Sequence, residues 1–190
     1  MTDAQPVAAV ILGAGLGRRF GGPKAAAVLG GDTLLDRVAT LARSAGLDPV
    51  IAVVPRDVAV PVGVQPVTNP APARGLSSSL QLGIGLVPPG AAALVLLVDQ
   101  PTMAPETIAA VLAARGRRPL AAAWAQGRLA PPVLIKSAAF PLIAALAGDI
   151  GLREVFAAHP DLVAAVPVSH HPPDVDTAAD LAALEARLGS

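Results

Sequence analysis

Residues 9–24, AVILGAGLGRRFGGPK, set Gly13, Gly15, Gly17, Arg19 and Lys24 directly behind a short apolar run. Glycines let a backbone come close to a ligand and turn its N–H groups inward, and the two cations can neutralise phosphate oxygens. The stretch is either a strand feeding a phosphate-holding loop or a strand running into an ordinary tight turn with solvated arginines. It is not a Walker loop, because Pro23 precedes Lys24 and no Gly-Lys-Ser/Thr occurs. It also misses the dinucleotide fingerprint, since Arg18 stands where the third glycine belongs. Gly15 is expected at a backbone angle closed to β-branched residues, and Arg19 and Lys24 are expected outside the core.

A second chemically suggestive position is Asp99, which ends the apolar run ALVLLV (93–98). A carboxylate there is costly to desolvate unless it is paired or bound to a metal. Downstream, SHHPPDVDT (169–177) carries Asp174 and Asp176, which either serve Asp99 as partners or decorate the start of the last helix, where negative charge is mildly stabilising. GLSSSL (75–80) is either a serine-capped helix start or a polar surface for a ligand. Trp124 is expected in the core. His159 is expected at the surface, and His170 and His171 in a proline-rich loop.

These positions need a scaffold, and the rest of the chain predicts one. Apolar runs at 7–12, 49–54, 64–67, 93–98, 120–124, 132–135 and 163–168 suit strands buried between helix layers. Helical patterns lie between them. Residues 33–45 put Leu34, Leu35, Val38, Leu41 and Ala42 on one stripe, with Thr33 and Asp36 spaced as a capping box and Gly46 as the stop. Residues 105–114 start with Pro105 and Glu106, and residues 177–188 repeat the capping-box spacing at Thr177 and Asp180. Such alternation predicts an α/β fold with a mainly parallel sheet and helices on both faces. Ligands of open α/β sheets bind beyond the carboxyl ends of the strands, where the glycine loop, Asp99 and residues 169–177 all fall.

Composition narrows the function classes. The 190 residues are 53% hydrophobic, sufficient for one domain spanning residues 1–190 with a sizeable core. Fourteen basic residues balance fourteen acidic ones, so no overall field recruits nucleic acid or an anionic membrane. The chain has no cysteine, which removes disulfides, thiolate metal sites and thiol nucleophiles. No apolar run reaches the length of a membrane span, and no signal-peptide pattern is read at the N-terminus. A cytoplasmic protein is the expectation.

The fuller string LGAGLGRRFGGPK resembles the signature of the MobA-like nucleotidyltransferases, Leu-Ala-Ala-Gly-x-Ser-x-Arg-(Met/Phe)-Gly-x-Pro-Lys, within the nucleotide-diphospho-sugar transferase superfamily. Leu12, Ala14, Gly15, Arg19, Phe20, Gly21, Pro23 and Lys24 fall on it, while Gly13 replaces an alanine and Gly17 a serine. RGLSSSL (74–80), LLVDQP (96–101), GDIGLR (148–153) and DVDTAADL (174–181) resemble, in order, segments of the molybdenum cofactor cytidylyltransferases. The resemblance implies a three-layer α/β/α, Rossmann-like fold around a mixed, mainly parallel sheet of about seven strands.

It also implies roles. Arg19 and Lys24 bind the triphosphate and, with Asp99, carry catalysis. Leu12, Gly13, Ala14, Gly15, Gly17, Arg74, Ser77, Ser78 and Ser79 complete the nucleotide site. Asp99 and Asp176 hold Mg²⁺, with Mn²⁺ as the alternative metal and Asp174 as the alternative ligand; such an ion is usually bound by one or two carboxylates plus phosphate oxygens. Gln100, Pro132, Asp149 and Arg153 face the acceptor. The implied reaction moves CMP from CTP, or another NTP, to the terminal phosphate of a molybdopterin-type acceptor, with a molybdenum hydroxylase client or its chaperone as a further partner. An ionised phosphate nucleophile needs no strong general base, which suits a chain lacking cysteine and any clear His-carboxylate pair.

One departure concerns the acceptor: where that branch has Arg-Gly-His-Pro-Val-Leu, this chain has LAPPVL (129–134), with Pro131 in the histidine position. Three rival readings stand beside the main one. A guanylyltransferase of the same superfamily more often carries Gly-Gly where this chain has Ala14-Gly15. A relative of the nicotine blue oxidoreductases would need a reduced cofactor, and a non-catalytic nucleotide-binding partner of molybdenum enzymes would need neither.

Overall fold

A computed structural model of the chain describes residues 5–15, 17–148 and 150–189. Among them, seven strands form one sheet: β1 (Val7–Leu12), β4 (Val50–Val54), β5 (Val64–Thr68), β6 (Ala92–Leu97), β7 (Leu120–Ala125), β8 (Arg128–Ile135) and β9 (Val163–Pro167). A short hairpin, β2 (Val28–Leu29) with β3 (Asp32–Thr33), lies apart from it. The sheet order is β5-β4-β1-β6-β8-β7-β9, and only β8 runs antiparallel to its neighbours. This is the expected mixed, mainly parallel α/β sheet.

Strand chemistry explains the order. β1 is apolar and buried along its whole length, as a central strand covered on both faces must be. Pro66 and Pro167 sit in β5 and β9, the two edge strands, where a missing N–H leaves no ladder bond unmade. β8 reverses direction through a two-residue turn in which Gln126 (φ 54°) and Gly127 (φ 74°) both take the left-handed conformation that such hairpins need. Its pairing with β7 jumps from Ala122↔Val133 to Ala123↔Ala130, so Pro131 and Pro132 fall in a bulge where no N–H is called for.

Helices α1 (Leu34–Ser44), α3 (Pro105–Ala113) and α6 (Ala178–Leu188) cover one face, packing on the side of the sheet that carries Ala9, Ile11 and Leu94. Helices α2 (Leu76–Ile84), α4 (Phe140–Ala144) and α5 (Leu152–Ala158) cover the other, over Ala8, Val10 and Val95. Both expected capping boxes form, at Thr33 with Asp36 and at Thr177 with Asp180. Two expectations need correction. Gly75, not a serine, is the N-cap of α2, at φ 88° and ψ −175°, a region that glycine alone enters readily. Trp124 is 44% exposed, because it lies at the end of β7 beyond the helix layer. No helix among the described residues is long and apolar enough to cross a membrane.

The placement of α2 depends on one glycine. A Cβ at Gly83 would lie 2.4 Å from Val10 Cγ1 and 3.1 Å from Val53 Cγ2, two buried side chains of β1 and β4. Val10 is stiff at χ1 and has no space to rotate into, so the helix must shift outward. Gly83→Ala therefore combines a gain of about 1 kcal/mol in helix propensity with an overpacking cost of about 1–3 kcal/mol. The expected outcome is a net loss of stability in urea unfolding, whereas Gly85→Ala, just past the helix, is the comparison that lacks this clash.

Candidate active site

The site begins where β1 ends. Gly13 donates its N–H to the Val53 carbonyl (2.8 Å), and Val98 N–H reaches back to Leu12 O (3.1 Å), so the first loop and the end of β6 leave the sheet side by side. Chain order reverses across this pair, since the strands run outward from β1 to β5 before β6 returns on its other side. Such switch points open a crevice.

Gly17 shapes the loop. It sits at φ 55°, and a Cβ there would come within 1.9 Å of the Gly22 carbonyl oxygen, so this loop has no room for the serine of the family signature. Phe20 and Gly21 both donate to the Gly17 carbonyl (3.0 and 2.8 Å) and close the turn. Gly15, by contrast, is exposed with nothing within 4 Å of a built Cβ, and its φ is not in the left-handed range. The expectation of a forbidden angle at Gly15 is thus corrected: the constraint falls two residues later.

Four charged side chains from three distant segments meet beyond the loop. Lys24 Nζ donates to Asp99 Oδ2 (3.0 Å) and Asp176 Oδ1 (2.6 Å), and Arg19 donates to Asp176 Oδ2 (3.2 Å). Backbone contacts hold the carboxylates there. Val175 N–H donates to the Asp99 carbonyl (2.8 Å), and buried Gln100 donates from Nε2 to Asp174 Oδ1 (2.9 Å), which fastens residues 174–176 to the end of β6. His171, also buried, donates from Nε2 to the Arg128 carbonyl (3.2 Å) and ties the same loop to the β7–β8 hairpin.

The two carboxylates respond differently to the shared ammonium. Burial pushes the Asp99 pKa up, and the hydrogen bond and charge of Lys24 offset only part of that. Asp176 is more open, and the hydrogen bond from Lys24 holds it below its ordinary value. Burial alone would depress Lys24, but its hydrogen bonds to Asp176 and Asp99 and their charges outweigh this, and its pKa is raised. Arg19 is exposed as expected, with 75% of its side chain accessible, whereas Lys24 keeps only 17% and is part of the buried framework.

A cavity of about 470 Å³ opens beside this cluster, a size suited to a small ligand. Its walls include Leu12, Gly13, Ala14, Gly15, Gly17, Arg19, Lys24, Ser79 and Asp99 from the expected set, and Asp176 closes it. Arg18, Gly75 and Leu76 line it too, without having been singled out in the sequence. The other serines are engaged elsewhere: Ser77 donates to the Gly148 carbonyl (2.5 Å), and Ser78 to Gly75 O (2.8 Å). Buried Asn69 donates to both Ser78 and Ser79 (2.9 Å each), pinning residues 69–75 to α2; no motif marks it. Arg74 is exposed and lines a separate hollow behind that loop.

A second groove of about 360 Å³ adjoins the cavity, sharing Leu12, Leu76 and Leu97 with it. Arg153 lines it, together with Pro131 and Arg128, neither of which stood among the expected acceptor residues. Pro132 is buried in β8, and Gln100 lines neither space. Asp149 lies outside the described residues.

The donor set fits a divalent ion that keeps phosphate and water ligands. Asp99 and Asp176 converge on one point, now held by Lys24 Nζ, and the described residues contain no cluster of three or more acidic or histidine side chains that would cage an ion without substrate.

The opposite shifts give a stability test in metal-free buffer. The stabilisation from Asp176 is present above its unfolded value of 3.8 and lost as pH falls through the lower folded value. Asp99 has the reverse sign: its cost grows as pH rises from 3.8 through the raised folded value, and persists above it. At neutral pH, Asp176→Asn should lower the unfolding midpoint and Asp99→Asn should hold or raise it, with the Asp176 difference vanishing in acid. Calorimetry from about pH 3 to pH 8 checks both signs.

Comparison with known proteins agrees with this geometry. The Rv0371c homologue of Mycobacterium sp. strain JC1 superposes with a TM-score of 0.85 at 27% identity, covering 96% of each chain. Rv0371c of Mycobacterium tuberculosis, in complex with manganese, gives 0.80 at 26% identity over 96% of this chain and 99% of that one. A nucleotidyl transferase of Methanothermobacter shares the fold at a TM-score of 0.77 and 20% identity, covering 96% and 97%. No curated protein matches significantly in sequence. Residues 9–163 match the MobA-like NTP transferase domain, and the chain, a nucleotidyltransferase of the nucleotide-diphospho-sugar transferase superfamily, belongs to that family.

Proposed function

We propose that the protein transfers CMP from CTP to the terminal phosphate of a molybdopterin-type acceptor. The observation that carries this reading is the meeting of Lys24, Asp99 and Asp176 at the mouth of the glycine loop, beside a cavity of nucleotide size. An acceptor phosphate oxygen attacks the α-phosphorus of CTP. A new P–O bond forms as the bond to the bridging oxygen breaks, and pyrophosphate leaves with that oxygen and its electron pair. The nucleophile is already ionised, so no side chain has to remove a proton.

The residues act by alignment and neutralisation. Backbone around Gly13–Gly17 approaches the phosphates, Arg19 reaches them from its exposed position, and Asp99 and Asp176 would hold Mg²⁺ or Mn²⁺. Bound there, such an ion supplies positive charge to the phosphate oxygens; the manganese in the mycobacterial relative supports a divalent metal in this fold. Lys24 has to release at least one carboxylate for that to happen, and its ammonium is then free for the triphosphate.

Thermal stabilisation by CTP, GTP and NADH, each with and without Mg²⁺, tests the reading. A ligand at 100 times its dissociation constant adds about 2.7 kcal/mol, and CTP with Mg²⁺ is expected to give the largest gain. A larger gain with GTP would assign guanylyl transfer, and NADH alone stabilising the fold would overturn nucleotidyl transfer. Arg19→Ala should slow pyrophosphate release with molybdopterin by about 10²–10³ while shifting stability by no more than about 0.5 kcal/mol. An unchanged rate would leave the loop as a mere turn.

A further inference from the structure

Trp124 is the sole tryptophan of the chain and stands 44% exposed at the carboxyl end of β7, the same sheet edge as Leu12 and Leu97. Its facing can be read from the ladder. Leu120 and Ala122 of β7 point to the core under α2, α4 and α5, and alternation sends Trp124 to that face. Directly opposite in the antiparallel pair is Leu129, which packs on that core and lines the apolar groove. On the other side Trp124 pairs with Pro167, itself exposed, so no strand or helix covers the indole there. Cross-strand partners have Cβ atoms about 4.5–5.5 Å apart, which sets Trp124 beside Leu129, just outside the lining of the groove.

The groove has a consistent chemistry. Leu129, Pro131 and Phe156 offer almost no hydrogen-bond partners, while Arg128 and Arg153 offer positive charge. Glu154 lines the groove as well; its carboxylate accepts from the Gly151 N–H (2.8 Å), a bond that holds its pKa below the ordinary value, so the wall carries two cations against one anion. A polyol phosphate would have to bury hydroxyls against carbon. A flat ring system can lie on the indole and the apolar floor with its anionic group near the arginines or the adjoining cavity.

We infer that Trp124 is the stacking platform of the acceptor subsite, and that the groove selects a phosphorylated fused-ring acceptor over a phosphorylated polyol. The inference rests on the nucleotidyl-transfer reading only for the direction in which the phosphate points. It names a specificity residue, since Trp124 contacts the acceptor body and not the reacting phosphorus.

Because the chain has one tryptophan, its fluorescence reports this position alone. Neopterin monophosphate should quench the emission saturably, and glycerol 3-phosphate should not. Anisotropy of the pterin's own fluorescence then follows binding in the variants. Trp124→Ala should weaken it about 10-fold or more, the scale of losing one ring stacked on an aromatic side chain, and Trp124→Phe should stay within a few-fold of wild type. CTP with Mg²⁺ should stabilise wild type and Trp124→Ala equally, because Trp124 lies outside the nucleotide cavity. Absence of quenching, or unchanged pterin affinity in Trp124→Ala, overturns the platform even if CTP binds. Quenching without any CTP stabilisation upholds the platform and overturns nucleotidyl transfer.

Discussion

Much of this molecule is arranged around one ammonium group held between two carboxylates. Lys24 reaches Asp99 and Asp176 at 3.0 and 2.6 Å, with most of its side chain withdrawn from water. A partly buried cluster of this kind contributes little net stability when complete and is costly when its ammonium is left without a carboxylate, because the charges have given up hydration. It therefore constrains the chain: the first loop, the end of β6 and the segment before α6 have to stay in register for all three charges to be satisfied. The opposite shifts of Asp99 and Asp176 record how unevenly burial is shared, with the deeper carboxylate poorly compensated by a lysine alone. A site that leaves a carboxylate undercompensated is suited to accept further positive charge.

The scaffold achieves this with small side chains. Aromatic residues make up 2% of the chain, and alanines such as Ala8, Ala9, Ala52 and Ala93 fill the central strands at zero exposure. With little bulk on the sheet, helices sit close, and at Gly83 the helix backbone comes near enough to Val10 that even a methyl group does not fit. Close packing of α2 fixes its N-terminus at the cavity, where Gly75 and Ser79 form part of the wall. Rigidity in the layer below thus becomes precision at the mouth above.

The two spaces at the sheet edge differ in character. The cavity is bordered by glycine backbone and charge, and the groove by leucine, proline and phenylalanine with Arg128, Arg153 and Glu154 among them. Their separation follows from β8, whose reversed direction puts its proline bulge, not a strand-end loop, beside the switch point. The groove takes its apolar floor from that bulge and from α5, a part of the fold independent of the glycine loop.

The sequence by itself determined the elements and their ends. Apolar runs, the capping boxes at Thr33 and Thr177, and the stop at Gly46 depend on neighbours a few residues away, and these appeared at or within a residue or two of the expected positions, except that β8 starts at Arg128, well before the expected run at 132–135, because its first residues pair across the hairpin and bulge. The glycine loop and Asp99 were legible for the same reason, since glycine clusters and a carboxylate ending an apolar strand are local signals. Tertiary structure alone decided which groups meet. Nothing local shows that Val175 bonds to Asp99, that Lys24 is buried while Arg19 is not, or that Asn69 takes up two of the serine hydroxyls. Trp124 departs from expectation for that reason: its type favours burial, but whether a helix covers the end of β7 depends on packing across the sheet and not on the residues around the tryptophan.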